Sequence, residues 1–266
     1  MRMQNKVALV TGAALGYKSG GPSIGSEIAI KLASEGAKIV VVDILEQMGQ
    51  KTVEVIRKKN GTAIFIKANV SQTKDVKNVI EITEEEFGNL HCLVNCAASY
   101  EGDIFKNVAE IPEEDWIRIL DINLNGYFRF AKYAIPSMLK IGGGTIINIS
   151  SSAAFRVLKN FSIYPVTKAA INSLTRTIAI DFAPHIRANT ICPGFVRIAN
   201  SEGNRSPEEI EDWIGKISKS YPLKKVCTVE EIAKVALFLA SSESSYVNGE
   251  CIIVDGGRNI SDTHEF

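Results

Sequence analysis

Residues 11–25 read TGAALGYKSGGPSIG. The stretch opens and closes like a phosphate-binding glycine turn, yet its middle is too long. It follows KVALV, an apolar run that reads as a buried strand ending at Thr11. Glycines belong in the next turn, where the backbone must bend sharply and let a pyrophosphate approach a helix N-terminus. Counted from the strand, Gly12 and Gly16 fit, but Lys18 stands where a third glycine is needed. KSGGP is a poor continuation of a helix, and the helical pattern restarts only at Ser23. Counted from the helix, Ser23 replaces a middle glycine and Gly25 is the last one. Asp43 lies 18 residues past Gly25, close to the ~20 expected of a ribose-binding acid. The turn is therefore a working motif opened by about seven residues around Leu15–Gly21. Gly12 and Ala14 are expected to hold the turn, and Ser23 and Ile24 to offer backbone N–H groups to the pyrophosphate. Tyr17 or Lys18 is expected to touch the cofactor. A glycine-rich loop can also be a tight turn and nothing more; Asp43, ending KIVVVD, argues against that reading. Its carboxylate accepts ribose hydroxyls and repels a 2′-phosphate, favouring NAD while leaving NADP open.

Outward from this turn, short Val- and Ile-rich runs alternate with longer helical ones. KVALVTG, AKIVVVD, TAIFIKANV, LHCLVNCAA, GTIINISS, IRANTICPG and ECIIVDGG read as seven buried strands. Ile24, Ile28, Ala29 and Leu32 share one helical face, and Gly36 follows as a stop. Val76, Val79, Ile80 and Ile82 form a second stripe ending at Gly88. EEDWIRILDINLNGYFRFAKYAIPSML and TKAAINSLTRTIAIDFA read as longer helices. The alternation predicts an α/β fold: a doubly wound, seven-stranded parallel sheet with about six flanking helices, a Rossmann-type single domain over residues 1–266. Residues 195–226 are long and irregular, with short helices expected around Glu208–Ser218, and read as a substrate-side lid.

Thirty basic residues balance thirty acidic ones, so nothing steers the chain toward nucleic acid or an anionic membrane. No apolar run nears the ~18 residues of a membrane span, and the start of the chain is too weakly apolar for a signal peptide. A cytoplasmic location is the default. Five cysteines, an odd number, argue against a disulfide framework. Cys92, Cys96 and His91 sit in an apolar run and read as core rather than as a metal site; no metal is expected.

YPVTK places Tyr164 and Lys168 on one helical face. A phenol of pKa ~10 is a poor base at neutral pH. A nearby ammonium favours the phenolate and turns a tyrosine into a general acid/base. Alone, the pair would be an unremarkable exposed pair. It is accompanied, in order and over essentially the whole chain, by VALVTGAA, GAKIVVVD, LVNCAA, NLNG, NISS, CPGFV and VDGG. With these segments the chain resembles the short-chain dehydrogenase/reductase family. The resemblance implies that Tyr164 is the acid/base and that Lys168 lowers its pKa and binds the nicotinamide ribose. It makes Ser151, thirteen residues before Tyr164, the serine that binds the substrate oxygen, with Ser150 and Ser152 facing elsewhere. It makes Asn123 the asparagine whose kinked helix holds a water in a relay to Lys168. Asn69, Val70, Asn95, Ala97, Pro193, Gly194 and Val196 take the positions of further cofactor contacts. A homotetramer built partly on the long helices and the C-terminal strand is also implied.

The chain departs from the family at several points. NCAA replaces NNAG, Asn69 stands for an aspartate that contacts adenine, and Ile198 stands for a threonine near the carboxamide. None of these removes a catalytic group. The expected activity is NAD(H)-linked oxidoreduction of a small secondary alcohol or carbonyl: a sugar, polyol or other hydroxy compound. A 3-oxoacyl thioester reductase is the alternative, though that chemistry favours NADPH. An enoyl-thioester reductase would place its lysine seven residues after the tyrosine, where this chain has Ile171. A catalytically silent NAD sensor is the remaining reading, and it would be expected to have lost Tyr164 or Lys168.

Overall fold

The computed structural model describes residues 1–16, 21–198 and 205–261. Seven strands form one parallel sheet in the order β3-β2-β1-β4-β5-β6-β7. They are β1 Val7–Thr11, β2 Lys38–Asp43, β3 Thr62–Lys67, β4 Cys92–Asn95, β5 Gly144–Ile149, β6 Ile186–Pro193 and β7 Cys251–Val254. Each lies within an apolar run expected to be a strand. The helices are α1 Ile24–Ser34, α2 Glu46–Lys58, α3 Thr73–Phe87, α4 Glu113–Leu120, α5 Gly126–Lys140, α6 Ile163–Asp181, α7 Pro207–Lys219 and α8 Val229–Ala240. Neither α2 nor α8 is among the helical stretches singled out in the sequence.

Alternate residues of the buried strands feed two apolar layers, because successive side chains point to opposite faces. Ala8 and Val10 join Ile28 and Leu32 of α1 and Ile232 and Ala236 of α8. Val7 and Leu9 join Val76 and Val79 of α3 and Phe130 and Ala134 of α5. Parallel strands covered by helices on both faces need this double burial. Gly36 and Gly88, at φ +94° and +81°, follow α1 and α3 as the sequence predicts.

The stretch 113–140 is not one helix. A five-residue π-turn, Asp121–Asn125, separates α4 from α5. Such bulges widen the backbone and re-aim side chains at functional sites. Here the bulge carries Asn123.

The chain leaves β1 for β2 and β3 in one direction and continues through β4 to β7 in the other. The strand order therefore reverses between β1 and β4, and ligands of open α/β sheets bind outside the carboxyl ends of strands at such a switch point. Thr11 and Asn95 end the two strands there. The Thr11 hydroxyl accepts the N–H groups of Cys96 at 3.1 Å and Ala97 at 3.3 Å, tying the strand ends together.

Candidate active site

The glycine turn closes against this crevice. Gly12 has φ +64°, and a Cβ there would fall 2.6 Å from the Ala97 Cα. A Cβ on Gly25 would fall 2.2 Å from the Gly12 carbonyl oxygen. Both glycines are therefore needed for close packing of turn, helix and strand. Ser23 caps α1: its hydroxyl accepts the Ser26 N–H, and the Ser26 hydroxyl accepts the Ser23 N–H at 2.8 Å. The Ser23 hydroxyl also donates to the Ala14 carbonyl at 2.8 Å. Ile24 opens the helix just behind it.

The opened loop is pinched at its base. The Gly16 N–H donates to the Gly21 carbonyl at 2.8 Å, so both ends of the motif keep their places on either side of the insertion. Tyr17 and Lys18 lie outside the described residues.

Asp43 ends β2 beside the turn. Its carboxylate accepts the N–H groups of Ala14 and Leu45, each at 3.0 Å. Burial raises its pKa, and those backbone donors oppose the rise. Each oxygen keeps a lone pair for a ribose hydroxyl.

The other expected contacts fall at the same end of the sheet. Val70 packs on Gly126, where a Cβ would lie 2.9 Å from Val70 Cγ2. The Asn69 amide oxygen is occupied locally by the Ser71 N–H and hydroxyl. The Asn95 side chain is fully buried and donates to Asn148 at 2.9 Å, leaving its own oxygen without a partner. Pro193 ends β6, the Gly194 N–H donates to the Val254 carbonyl, and Val196 bridges Cys227.

Across the crevice, α6 starts at Ile163, so Pro165 sits in its first turn, where a missing N–H costs nothing. Tyr164 and Lys168 follow on one face, 8% and 2% exposed. The Lys168 ammonium donates to the Ile149 carbonyl at 2.8 Å and lies 3.5 Å from the Tyr127 hydroxyl. Tyr127 donates to the same carbonyl at 3.1 Å. Burial lowers the Lys168 pKa to about 8.

Ser151 lies just past the end of β5, and its side chain is among the groups that lower the Tyr164 pKa. Its hydroxyl also accepts the Ala153 N–H at 3.1 Å. Ser150 faces elsewhere, donating to the Lys168 carbonyl at 2.9 Å. Asn123 is fully buried and grips Ser99 at both ends, accepting its N–H at 2.7 Å and donating to its carbonyl at 3.0 Å.

The Tyr164 pKa runs against the sequence expectation. It is raised, because burial outweighs the hydrogen bonds from Tyr100 and Ser151 that lower it. Lys168 spends its charge on the Ile149 carbonyl, with its ammonium 5.5 Å from the Tyr164 ring centre.

Sequence reasoning missed Tyr100 and Tyr127. Tyr100 donates its hydroxyl to that of Tyr164 at 2.8 Å. Only the structure pairs it with Tyr164, since its place depends on the path of a loop. Tyr127 directly follows the NLNG motif on α5, and that adjacency is a usable signal. Among the described residues, no group of three or more His, Cys, Asp or Glu is placed to hold a metal.

Sheet order, glycine turn and buried Tyr–Lys pair together define a doubly wound α/β oxidoreductase. A family model described as enoyl-(acyl carrier protein) reductase matches residues 20–259. The cyclohexanol dehydrogenase of an Acinetobacter species is 34% identical, over 96% of this chain and 95% of its own. The short-chain type dehydrogenase/reductase of Mycobacterium ulcerans superposes with a TM-score of 0.86 at 28% identity, over 98% of this chain and 92% of that one. The ligand-free aldohexose dehydrogenase of Thermoplasma acidophilum superposes with a TM-score of 0.85 at 31% identity, over 99% and 98%. The chain belongs to the short-chain dehydrogenase/reductase family.

Proposed function

We propose that the protein is an NAD(H)-dependent oxidoreductase that interconverts a small secondary alcohol, such as a sugar, polyol or other hydroxy compound, with its carbonyl. One observation carries the reading: Tyr164 is buried at the switch-point crevice with Ser151 near enough to lower its pKa and Lys168 buried behind it. The residues also fit the cofactor. Gly12 and Gly25 leave a cradle no side chain could share, and Asp43 presents a carboxylate suited to an unphosphorylated ribose.

When bound, the nicotinamide supplies the hydride chemistry at the carbon that carries the oxygen. The protein's residues handle the oxygen. Ser151 donates to it and steadies its developing charge. Tyr164 takes the alcohol proton during oxidation and returns one during reduction. Lys168 holds the nicotinamide ribose and biases Tyr164 toward phenolate once drawn from the Ile149 carbonyl.

The named relatives act on a cyclohexanol and an aldohexose, which supports an alcohol substrate and leaves ring alcohols and sugars as its two forms. Enoyl reduction is disfavoured, because Lys168 is four residues after Tyr164 and position 171 is Ile. We further propose a homotetramer. Exposed Ile117 and Phe128 on the α4–α5 segment and Ile253 on β7 supply apolar surface for it.

Direction sets the pH dependence. Oxidation needs deprotonated Tyr164, so its kcat/KM rises as pH climbs through that pKa. Reduction needs the protonated phenol and falls over the same range. Burial raises this pKa above that of an ordinary phenol, so from pH 6 to 10 oxidation should climb while reduction stays level. Rates measured in both directions from pH 6 to 10 test this; parallel profiles would remove Tyr164 from the proton transfer.

Asp43→Ala is expected to weaken NAD binding about 10- to 100-fold, the loss of one or two charge-assisted hydrogen bonds. NADP binding should hold or improve as the repulsion disappears. Dissociation constants for both nucleotides check this, and an unchanged NAD preference would sink the assignment.

A further inference from the structure

Tyr100 lies outside every motif that marks the site, yet its hydroxyl is spent on Tyr164. The residue is 52% exposed, yet its hydroxyl donates to the Tyr164 oxygen at 2.8 Å. The two ring centres are 5.0 Å apart. Phe161 covers Tyr164 as well, stacked at 5.0 Å. The Tyr164 phenol thus packs against two rings, one of which carries a hydroxyl to its oxygen.

This placement is built. Asn123 fixes the peptide groups of Ser99 on one side of Tyr100. On the other side, the Arg118 guanidinium donates to the Glu101 carbonyl at 2.6 Å and pairs with Asp115 at 2.6 Å. Asp115 also accepts the Asp103 N–H at 2.8 Å. The backbone around Tyr100 is therefore fastened to the π-turn and to α4. A half-exposed aromatic with no task would need no such clamps.

We propose that Tyr100 is a positioning residue for the reaction: its hydroxyl donates to the Tyr164 oxygen and stabilises the deprotonated form that receives the substrate proton. The proposal rests on the acid/base role given to Tyr164 above. During oxidation the alcohol O–H proton moves to the Tyr164 oxygen and the C–H hydride leaves with the nicotinamide. Tyr100 keeps its own proton throughout. A phenolate oxygen has room for donors from Tyr100 and the substrate hydroxyl together, while the single Ser151 proton goes to the substrate oxygen. A donor to an ionised oxygen is stronger than one between neutral groups, so the contact favours the phenolate.

The groups facing Tyr164 come from every side of the crevice. Lys168 lies on the same helix, Tyr127 comes from α5, Cys96 follows β4 and Cys192 lies in β6. Burial pushes the Tyr164 pKa up, and Cys96 and Cys192 add to the rise. Tyr100 and Ser151 are the groups that pull it down.

Tyr100→Phe keeps the ring stack and removes the hydroxyl. Tyrosinate formation, followed at 295 nm in the NAD-saturated protein, reads the effect without any substrate. The Tyr164 step is the one missing in Tyr164→Phe. In Tyr100→Phe it should move about one pH unit higher, a tenfold loss of phenolate at neutral pH. The kcat/KM of cyclohexanol oxidation should fall about tenfold at pH 7 and recover at high pH, with the Kd for NAD within twofold of the parent. An unmoved 295 nm step, or a rate loss equal at every pH, would overturn the proposal and leave Tyr100 as cleft wall. A Tyr164→Phe protein that keeps its rate would instead overturn the acid/base reading itself.

Discussion

Tyr164→Phe should lower kcat by about 10³-fold, within the range a single general acid/base contributes. NAD affinity should change little, because the ring stays in place. Phe161 stacks with the Tyr164 ring and Tyr100 tilts against it, each at 5.0 Å, so the variant keeps its packing and loses only the hydroxyl. That hydroxyl accepts from Tyr100 and is the group proposed to take the substrate proton. Without it the alcohol proton has no acceptor, while the Ser151 hydroxyl remains. Steady-state rates and NAD titration by protein fluorescence separate the two effects. A rate within tenfold of the parent would mean that another group moves the proton.

Gly25→Ala should be strongly damaging although Gly25 lies outside the catalytic groups. The added Cβ would lie 2.2 Å from the Gly12 oxygen and 2.8 Å from its carbonyl carbon. Those atoms are backbone and cannot swing aside. Gly12 cannot retreat either, because it is packed against Ala97. The helix must therefore move off the turn, which opens the phosphate cradle and strains α1. Overpacking of this kind costs about 1–3 kcal/mol. Urea unfolding should show that loss, and NAD binding should weaken at least tenfold, since the N–H groups at the start of α1 leave their places. Gly215→Ala is the control: nothing lies within 4 Å of a Cβ there. Equal stability and NAD affinity in the two variants would refute the close-packed turn.

Much of this architecture is legible in the sequence, because buried parallel strands are continuous apolar runs. Val7–Thr11 and Lys38–Asp43 announce themselves this way. Helix α2 is harder to see. Its apolar residues, Met48, Val53, Val55 and Ile56, are interspersed with Lys51, Glu54 and Arg57, and only Gly49, Thr52, Val53 and Ile56 are buried. The signal for α8 was present in another form: Thr228 and Glu231 make a capping box. The π-turn at Asp121–Asn125 escapes periodicity altogether, since one extra residue barely disturbs a long apolar stripe.

At the site, the spacing of Ser151, Tyr164 and Lys168 is a local property of β5 and α6 and can be read directly. What Ser23 does is only half legible. Its place before the helix is plain, but its N–H goes to Ser26 within the cap. The Tyr164 pKa depends on burial and on Tyr100, and both arise from how distant segments meet. No spacing along the chain encodes that meeting.

The central claim is turnover at this crevice with NAD as partner, and absorbance at 340 nm tests it directly. The parent protein, mixed with NAD and a panel running from cyclohexanol through polyols to aldohexoses, should form NADH with at least one secondary alcohol, and faster than with NADP. Tight NAD binding with no NADH from any alcohol, and no NADH consumption with the matching carbonyls, would contradict the account and leave a nucleotide-binding protein without catalysis.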